Sequence, residues 1–155
     1  MKGEHVMLGY WGKPEETDAA VRDGWMHTGD GGRMDDEGYV YIVDRIKDMI
    51  ISGGENVYST EVENALAKHP GVAACAVIGV PDPEWGERVH AVIVPQGDVE
   101  LTLEDLRAHT KEHIAGYKAP RSFEIVAALP ISGAGKVLKR DLRAKYWDGA
   151  DRGVS

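Results

Sequence analysis

The sequence has little of what disulfide-bonded, membrane-spanning or nucleic-acid-binding proteins need. It has one cysteine among 155 residues, Cys75, so no disulfide can form within the chain. Acidic residues outnumber basic ones by 26 to 18, and the net charge of -8 argues against nucleic acid or a membrane surface as a partner, because both attract basic proteins. No apolar run approaches the ~20 residues that a membrane-spanning helix requires. These absences favour a protein of the reducing cytoplasm.

The apolar content of 43% is sufficient for one compact core. The clearer pattern lies C-terminal to Arg45 and predicts a small α+β domain, in which helices flank a short central sheet. We predict strands at Asp48–Ser52, Val72–Val80, Val89–Val94 and Phe123–Val126, and helices from Thr60, from Thr102 to Gly116, and over Lys139–Trp147. Thr60 and Glu63 form a capping-box pattern at a helix start, and Thr102 and Asp105 mark the start of a second helix.

Residues 1–43 do not form the pattern of a self-sufficient domain. They are turn-rich, with a short helix predicted to open at Pro14 and a hairpin turn at Asp35–Gly38 before a strand at Tyr39–Val43. We expect a remnant rich in β-hairpins.

Asp30 follows a glycine turn in the motif Thr28-Gly29-Asp30. A carboxylate in such a place can accept hydrogen bonds from both hydroxyls of a ribose. A turn or cap aspartate with a purely structural role is the alternative.

Lys136 ends a segment, Pro130–Lys136, that contains two glycines and a serine. We predict a flexible loop that brings the lysine to a developing anion, with a solvated surface lysine as the alternative. The segment is not a phosphate-binding P-loop, because proline stands at position 130 and valine at position 137. The histidines show no metal-ligand spacing, and we assign no metal ligand.

Together these segments closely resemble the C-terminal part of the adenylate-forming enzymes, which include acyl-CoA synthetases, peptide-synthetase adenylation domains and firefly luciferases. The resemblance runs from about Gly9 to Arg143. The matching segments are Gly9-Tyr10-Trp11, Asp23-Gly24-Trp25, Thr28-Gly29-Asp30, Gly38-Tyr39, Asp44-Arg45 and Gly53-Gly54-Glu55-Asn56.

The resemblance implies roles for three residues in ATP chemistry. Asp30 would hold the ribose hydroxyls of ATP or AMP, and Arg45 would assist at the ribose or phosphate. Lys136 would approach the α-phosphate and the substrate carboxylate during adenylation. Mg²⁺ would arrive with ATP, without ligands from this chain.

It also implies a swivelling domain that serves a second half-reaction with CoA. Lys47 would be the hinge. After the rotation, Gly53 and Gly54 would line the pantetheine tunnel, where a glycine leaves no side chain in the path of the thiol. Lys118 and Arg121 would contact CoA phosphates, and Trp85 resembles a tunnel-side aromatic, with a surface or core tryptophan as the alternative.

We therefore expect residues 1–44 to be the tail of a large N-terminal adenylation domain and residues 45–155 to be the mobile C-terminal domain of an AMP-forming ligase for a fatty or aryl acid. The isolated chain would be inactive and would need the large domain, a carboxylic acid and CoA as partners. Its N-terminal remnant would be mobile or would pair with another copy through exposed strand edges. The alternatives are a peptide-synthetase adenylation domain and a non-catalytic module that binds CoA or a protein.

Overall fold

The computed structural model describes residues 1–147, in two compact units of which the first is Met1–Arg45 and the second begins at Ile46. The elements of the first unit are helix α1 (Pro14–Ala20) and strands β1 (Val21–Arg22), β2 (Trp25–Met26), β3 (Asp30–Met34) and β4 (Val40–Arg45). Strands β1 and β2 form one antiparallel pair, and β3 and β4 form another.

Local sequence explains the elements of the first unit. Pro14 lies in the first turn of α1, where its missing N–H costs nothing, and Glu15 and Glu16 follow at the positive end of the helix dipole. The predicted turn between β3 and β4 is confirmed: Asp35 Oδ1 accepts hydrogen bonds from the backbone N–H groups of Glu37 and Tyr39.

The first unit has no apolar core of its own. None of its described apolar side chains is buried, and Leu8 and Trp11 are fully exposed. Its only buried residue in the described range is Asp44.

The second unit is built on a five-stranded sheet, in the order β6-β5-β8-β7 with β9 beside β8. Its elements are a 3-10 turn (Ile46–Asp48), β5 (Ile50–Ser52), β6 (Glu55–Val57), α2 (Ser59–Leu66), β7 (Val72–Asp82), β8 (Gly86–Pro95), α3 (Leu103–Lys111), a second 3-10 turn (Gly116–Lys118), β9 (Ser122–Ile125) and α4 (Lys139–Ala144). Strand β9 is parallel to β8, and all other pairs are antiparallel.

Both faces of this sheet are covered, in keeping with the near-continuous apolar runs of β7 and β8. One face packs with α2 and α3, in a cluster that includes Val77, Ala91 and Leu106. The other face packs with α4, in a cluster that includes Ile78 and Leu142. The predicted α+β class is therefore confirmed.

Several boundaries differ from the predictions; among them, the last helix ends at Ala144 and not at Trp147, and β8 begins at Gly86 and not at Val89. Helix α2 begins at Ser59 with no side-chain cap, so the Thr60/Glu63 capping box is wrong. The Thr102 cap is confirmed, because its Oγ1 accepts the N–H of Asp105, but α3 ends at Lys111 and not at Gly116. The strand predicted from Asp48 begins only at Ile50.

Glu63 does not cap α2 but forms tertiary contacts with β7 and α4. Its Oε1 accepts the N–H of Val77 on β7 at 2.7 Å and pairs with Lys139 Nζ at 2.7 Å. The carboxylate thus joins α2 to strand β7 and to α4. None of the described helices has the length and apolarity that crossing a bilayer demands.

We expect Glu63→Ala to lower the free energy of unfolding by about 2–3 kcal/mol, since it removes a charged hydrogen-bond acceptor and leaves a mostly buried lysine without that partner. Urea denaturation followed by circular dichroism measures the change. Glu100→Ala, at an exposed position, is the matched control. Equal, small effects of the two substitutions would contradict the anchoring role of Glu63.

Candidate functional site

Asp30 and Arg45 lie side by side at the open end of the β3–β4 hairpin. They are directly paired in the strand register, and Arg45 Nε lies 3.9 Å from Asp30 Oδ1. Gly29 has a φ of 75°, which turns the chain just before Asp30, and the Asp30 N–H is bonded to Thr28 Oγ1 at 3.3 Å. The Asp30 carboxylate is partly exposed and the Arg45 guanidinium is exposed, so both can contact one small polar ligand.

Gly53 and Gly54 form the turn of the β5–β6 hairpin. Their φ angles are 61° and 82°, the left-handed region required at both central residues of a tight two-residue hairpin turn. Glu87, which is buried, accepts the N–H of Ile51 with its Oε2 and so ties this hairpin to β8. The turn itself is exposed and has no side chain, so that a thin ligand can approach its backbone closely.

Trp85 lies against one side of this turn. A Cβ added to Gly53 would meet Trp85 Cε3 at 2.6 Å, and the Gly53 N–H is bonded to the Trp85 carbonyl at 2.9 Å. The Arg121 guanidinium stacks on the indole at 4.1 Å from the ring centroid. Within the described part of the chain, the buried Arg121 Nε has no hydrogen-bond partner.

Asp82 fixes the loop that presents Trp85. Its Oδ1 accepts the backbone N–H groups of Glu84 and Trp85, both at 3.0 Å. Burial acts to raise the pKa of Asp82, but these two N–H donors and the nearby Arg88 and Arg121 outweigh it and lower the pKa below its ordinary value. The carboxylate therefore stays charged and holds the loop at neutral pH.

Lys118 has an acidic partner in the structure. Its Nζ lies 2.7 and 2.6 Å from the two carboxylate oxygens of Glu61 on α2. A phosphate that binds Lys118 would have to compete with this ion pair. Sequence reasoning could not reveal the pairing, because the two residues lie 57 positions apart along the chain.

Lys136 lies at the end of a short loop that is closed by hydrogen bonds. Ser132 and Lys136 exchange two hydrogen bonds, one to the Lys136 carbonyl at 2.8 Å and one from its N–H to Ser132 Oγ at 3.1 Å. Ile131 and Val137 form an antiparallel bridge beside them. The Lys136 side chain is exposed and forms no ion pair with any described acidic residue.

Lys47 is exposed in the 3-10 turn at the start of the second unit. Sequence reasoning missed its buried neighbour Asp48, whose Oδ1 pairs with Arg143 of α4 at 2.8 Å. The residue after Lys47 is thus anchored to the last helix. No local pattern could reveal a pair separated by 95 positions.

The structure also brings together three side chains that sequence reasoning did not connect. His109, Glu112 and His113 each offer a ligand atom, and these atoms lie within 4.8 Å of one another. The expectation that no histidine has metal-ligand spacing therefore needs revision. The missed signal was the spacing of these residues by three and four positions, which places them on one side of a helical turn.

Cys75 is unsuited to nucleophilic chemistry. Burial, together with the negative charge of Glu63, raises the pKa of its thiol to about 12. The thiolate is the reactive form, so this cysteine is inert at neutral pH.

A family model described as the AMP-binding enzyme C-terminal domain matches residues 61–136. A feruloyl-CoA synthase from an Amycolatopsis species is 52% identical over 146 residues, which is 94% of this chain and 30% of that protein. A long-chain-fatty-acid–CoA ligase from Bacillus subtilis (strain 168) is 48% identical over 142 residues, 92% of this chain and 25% of that protein.

A solved structure has the same fold. The o-succinylbenzoate CoA synthetase from Bacillus subtilis, in complex with its acyl-adenylate intermediate, superimposes with a TM-score of 0.84 at 40% identity, covering 91% of this chain and 29% of that one. The chain thus spans between 25% and 30% of the length of these relatives.

We expect Gly53→Ala and Gly54→Ala to differ in their effect on Trp85. Both introduce a side chain at positive φ, which costs on the order of 1 kcal/mol. Only the Cβ at position 53 meets the indole, because nothing lies within 4 Å of one built at position 54. In ¹H–¹⁵N spectra the Trp85 indole resonance should shift in Gly53→Ala and stay in place in Gly54→Ala. Equal shifts in both variants would contradict the contact.

We expect Cys75 to react with a disulfide reagent at pH 8 at least about 30-fold more slowly in the folded chain than in urea. Raising the pKa from 9.0 to about 12 lowers the thiolate fraction about a thousandfold, and the higher nucleophilicity of a more basic thiolate compensates for about half of that on a logarithmic scale. Stopped-flow absorbance measures both rates. Similar rates in the two states would show that the thiol is accessible and ionised.

Proposed function

We propose that this chain, which belongs to the AMP-binding enzyme C-terminal domain family, is the C-terminal part of an AMP-forming acyl-CoA ligase. The observation that carries the proposal is the extent of the similarity, since 94% of the chain aligns with a feruloyl-CoA synthase at 52% identity. The substrate would be a fatty or aryl carboxylic acid. The named relatives are CoA ligases, which does not favour the peptide-synthetase alternative.

Exposed apolar residues in the first unit support the proposal that this chain has a large N-terminal domain as its partner. Its exposed apolar residues have no core to enter, and they include Trp11, Trp25, Tyr39, Val40 and Ile42. Burial of such a surface against a larger domain would stabilise the unit. We infer that the isolated chain is catalytically incompetent and that residues 1–44 complete that larger domain.

In the proposed first half-reaction, a carboxylate oxygen of the acid attacks the α-phosphorus of ATP. The bond from this phosphorus to the bridging oxygen breaks, pyrophosphate leaves with that electron pair, and acyl-AMP forms. Asp30 would accept the ribose hydroxyls, with Arg45 beside it. Mg²⁺ would enter with the nucleotide, and no residue of this chain is assigned to it.

Lys136 would act at the reacting phosphate. Negative charge grows on the phosphoryl oxygens as the new bond forms, and a positively charged donor there stabilises the transition state by about 3–4 kcal/mol. The ordered loop supports this role because it holds the lysine backbone in place, while its ammonium forms no ion pair with a described acidic residue.

In the second half-reaction the CoA sulfur attacks the acyl carbon, the carbon–oxygen bond to AMP breaks, and AMP leaves while the thiol proton is lost. The Gly53–Gly54 turn would line the passage of the pantetheine arm. Trp85 would form the wall beside it, and Arg121 and Lys118 would meet the phosphates of CoA. Rotation of the second unit about Lys47 would exchange Lys136 for this turn.

Cys75 is a free cysteine, and we infer that the enzyme works in the reducing cytoplasm, where thiols stay reduced.

A graft tests the proposal. We expect a protein in which this chain replaces the matching 146 residues of the Amycolatopsis feruloyl-CoA synthase to form feruloyl-CoA from ferulate, ATP and CoA. The relative without that segment and the isolated chain should show no ATP–pyrophosphate exchange. Thioester formation and exchange are measured by chromatography and by labelled pyrophosphate.

A folded graft that retains ATP binding but forms neither acyl-AMP nor thioester would contradict the ligase assignment. CoA binding by the isolated chain, combined with such an inactive graft, would favour the non-catalytic binding module. Gel filtration and circular dichroism establish that the graft is folded.

A further inference from the structure

We propose that His109, Glu112 and His113 form a binding site for a divalent transition metal, with Zn²⁺ as the expected ion. The three side chains lie at the C-terminal end of α3, on the side of the second unit where α3 packs with α2. Two imidazoles and a carboxylate are a ligand set that zinc takes in proteins. The site is separate from every residue given a part in the ligase reaction.

The spacing brings the ligands together. His113 follows His109 by four residues and Glu112 follows it by three, so all three share one helical side. Their ligand atoms lie within 4.8 Å of one another, and the two rings have centroids 4.7 Å apart. Ligands around a tetrahedral zinc lie about 3.3 Å apart when the bonds are about 2.0–2.1 Å long. Small rotations suffice, because the side chains of Glu112 and His113 are exposed.

Hydrogen bonds fix the proton on each ring. His109 Nε2 lies 3.1 Å from the Ala65 carbonyl of α2, and His113 Nδ1 lies 3.0 Å from the His109 carbonyl. A carbonyl only accepts, so these nitrogens carry the hydrogens and each ring keeps a lone pair on its other nitrogen. Histidines that bind metals commonly donate their second N–H to a carbonyl in this way.

The groups around the three side chains favour the binding of a cation. The C-terminal end of a helix carries partial negative charge. His69 packs edge-on against His109 with ring centroids 5.0 Å apart and limits its rotation. The Nδ1 of His69 accepts the Gly71 N–H at 3.0 Å, so that lone pair is engaged and His69 positions the site without acting as a ligand.

Only three protein ligands are present in this cluster, and water would complete the coordination. Since His109 is also bonded to α2, an ion bound there would join the end of α3 to α2. A ligand that binds only the folded state raises its stability. Occupancy should therefore raise the melting temperature of the chain.

Zn²⁺ titration by isothermal calorimetry and by thermal melting tests the site, in the 155-residue chain with Mg²⁺ in excess. We expect one Zn²⁺ per chain and a higher melting temperature with the ion. Loss of a ligand should weaken binding about tenfold or more in both Glu112→Gln and His113→Gln, and should abolish the thermal shift. The controls Glu104→Gln, on the exposed side of the same helix, and His27→Gln, in the first unit, should bind as the unaltered chain does.

Absence of binding to the unaltered chain, or equal affinity in the two ligand variants and the controls, would overturn the proposal. Both altered ligands are exposed, so the variants should fold, and circular dichroism checks this. If His113→Gln alone disturbs the helix end, Glu112→Gln still decides between the outcomes.

Discussion

The antiparallel pairing of β7 with β8 is the constraint on which the rest of the second unit depends. The two strands run together from Val72 paired with Pro95 to Asp82 paired with Gly86. Alternate residues face opposite sides of a strand, so this one register sends Val77 and Ala91 to the side of α2 and α3 and sends Ile78 to the side of α4. A slip of one residue would exchange the two faces and disrupt both cores at once.

The same pairing separates the two segments to which we assign chemical roles. Ile50 and Val57 of the β5–β6 hairpin pack in the cluster with α2 and α3. Val137, next to Lys136, packs in the cluster with α4. A single rigid sheet therefore supports the glycine turn on one face and the lysine loop on the other. The rotation that we propose for the second unit would need such an arrangement.

Sequence reasoning predicted well where local chemistry decides. The Thr102 cap and the turn at Asp35–Gly38 both depend on residues within a few positions of one another. Sequence reasoning failed where a residue binds a partner that is distant in sequence and does not have the predicted local role. Glu63 binds Val77 and Lys139 instead of capping α2, and Asp48 binds Arg143 instead of starting a strand.

The candidate site shows the same division. The two-glycine turn was readable from sequence, because its backbone angles need glycine. The stack of Arg121 on Trp85 and the pairing of Lys118 with Glu61 join separate elements, and only the tertiary structure shows them. Sequence reasoning overlooked the spacing of the histidine cluster, and only the tertiary structure shows the bond from His109 to the Ala65 carbonyl.

The most direct measurement is of the two half-reactions separately, in the grafted enzyme with Lys136→Ala. We expect adenylate formation, measured by pyrophosphate release, to slow on the order of a hundredfold, while thioester formation from preformed acyl-AMP keeps its rate. Lys111→Ala, at an exposed position on α3, should leave both steps unchanged. Equal losses in both half-reactions would contradict the assignment of separate faces to separate steps.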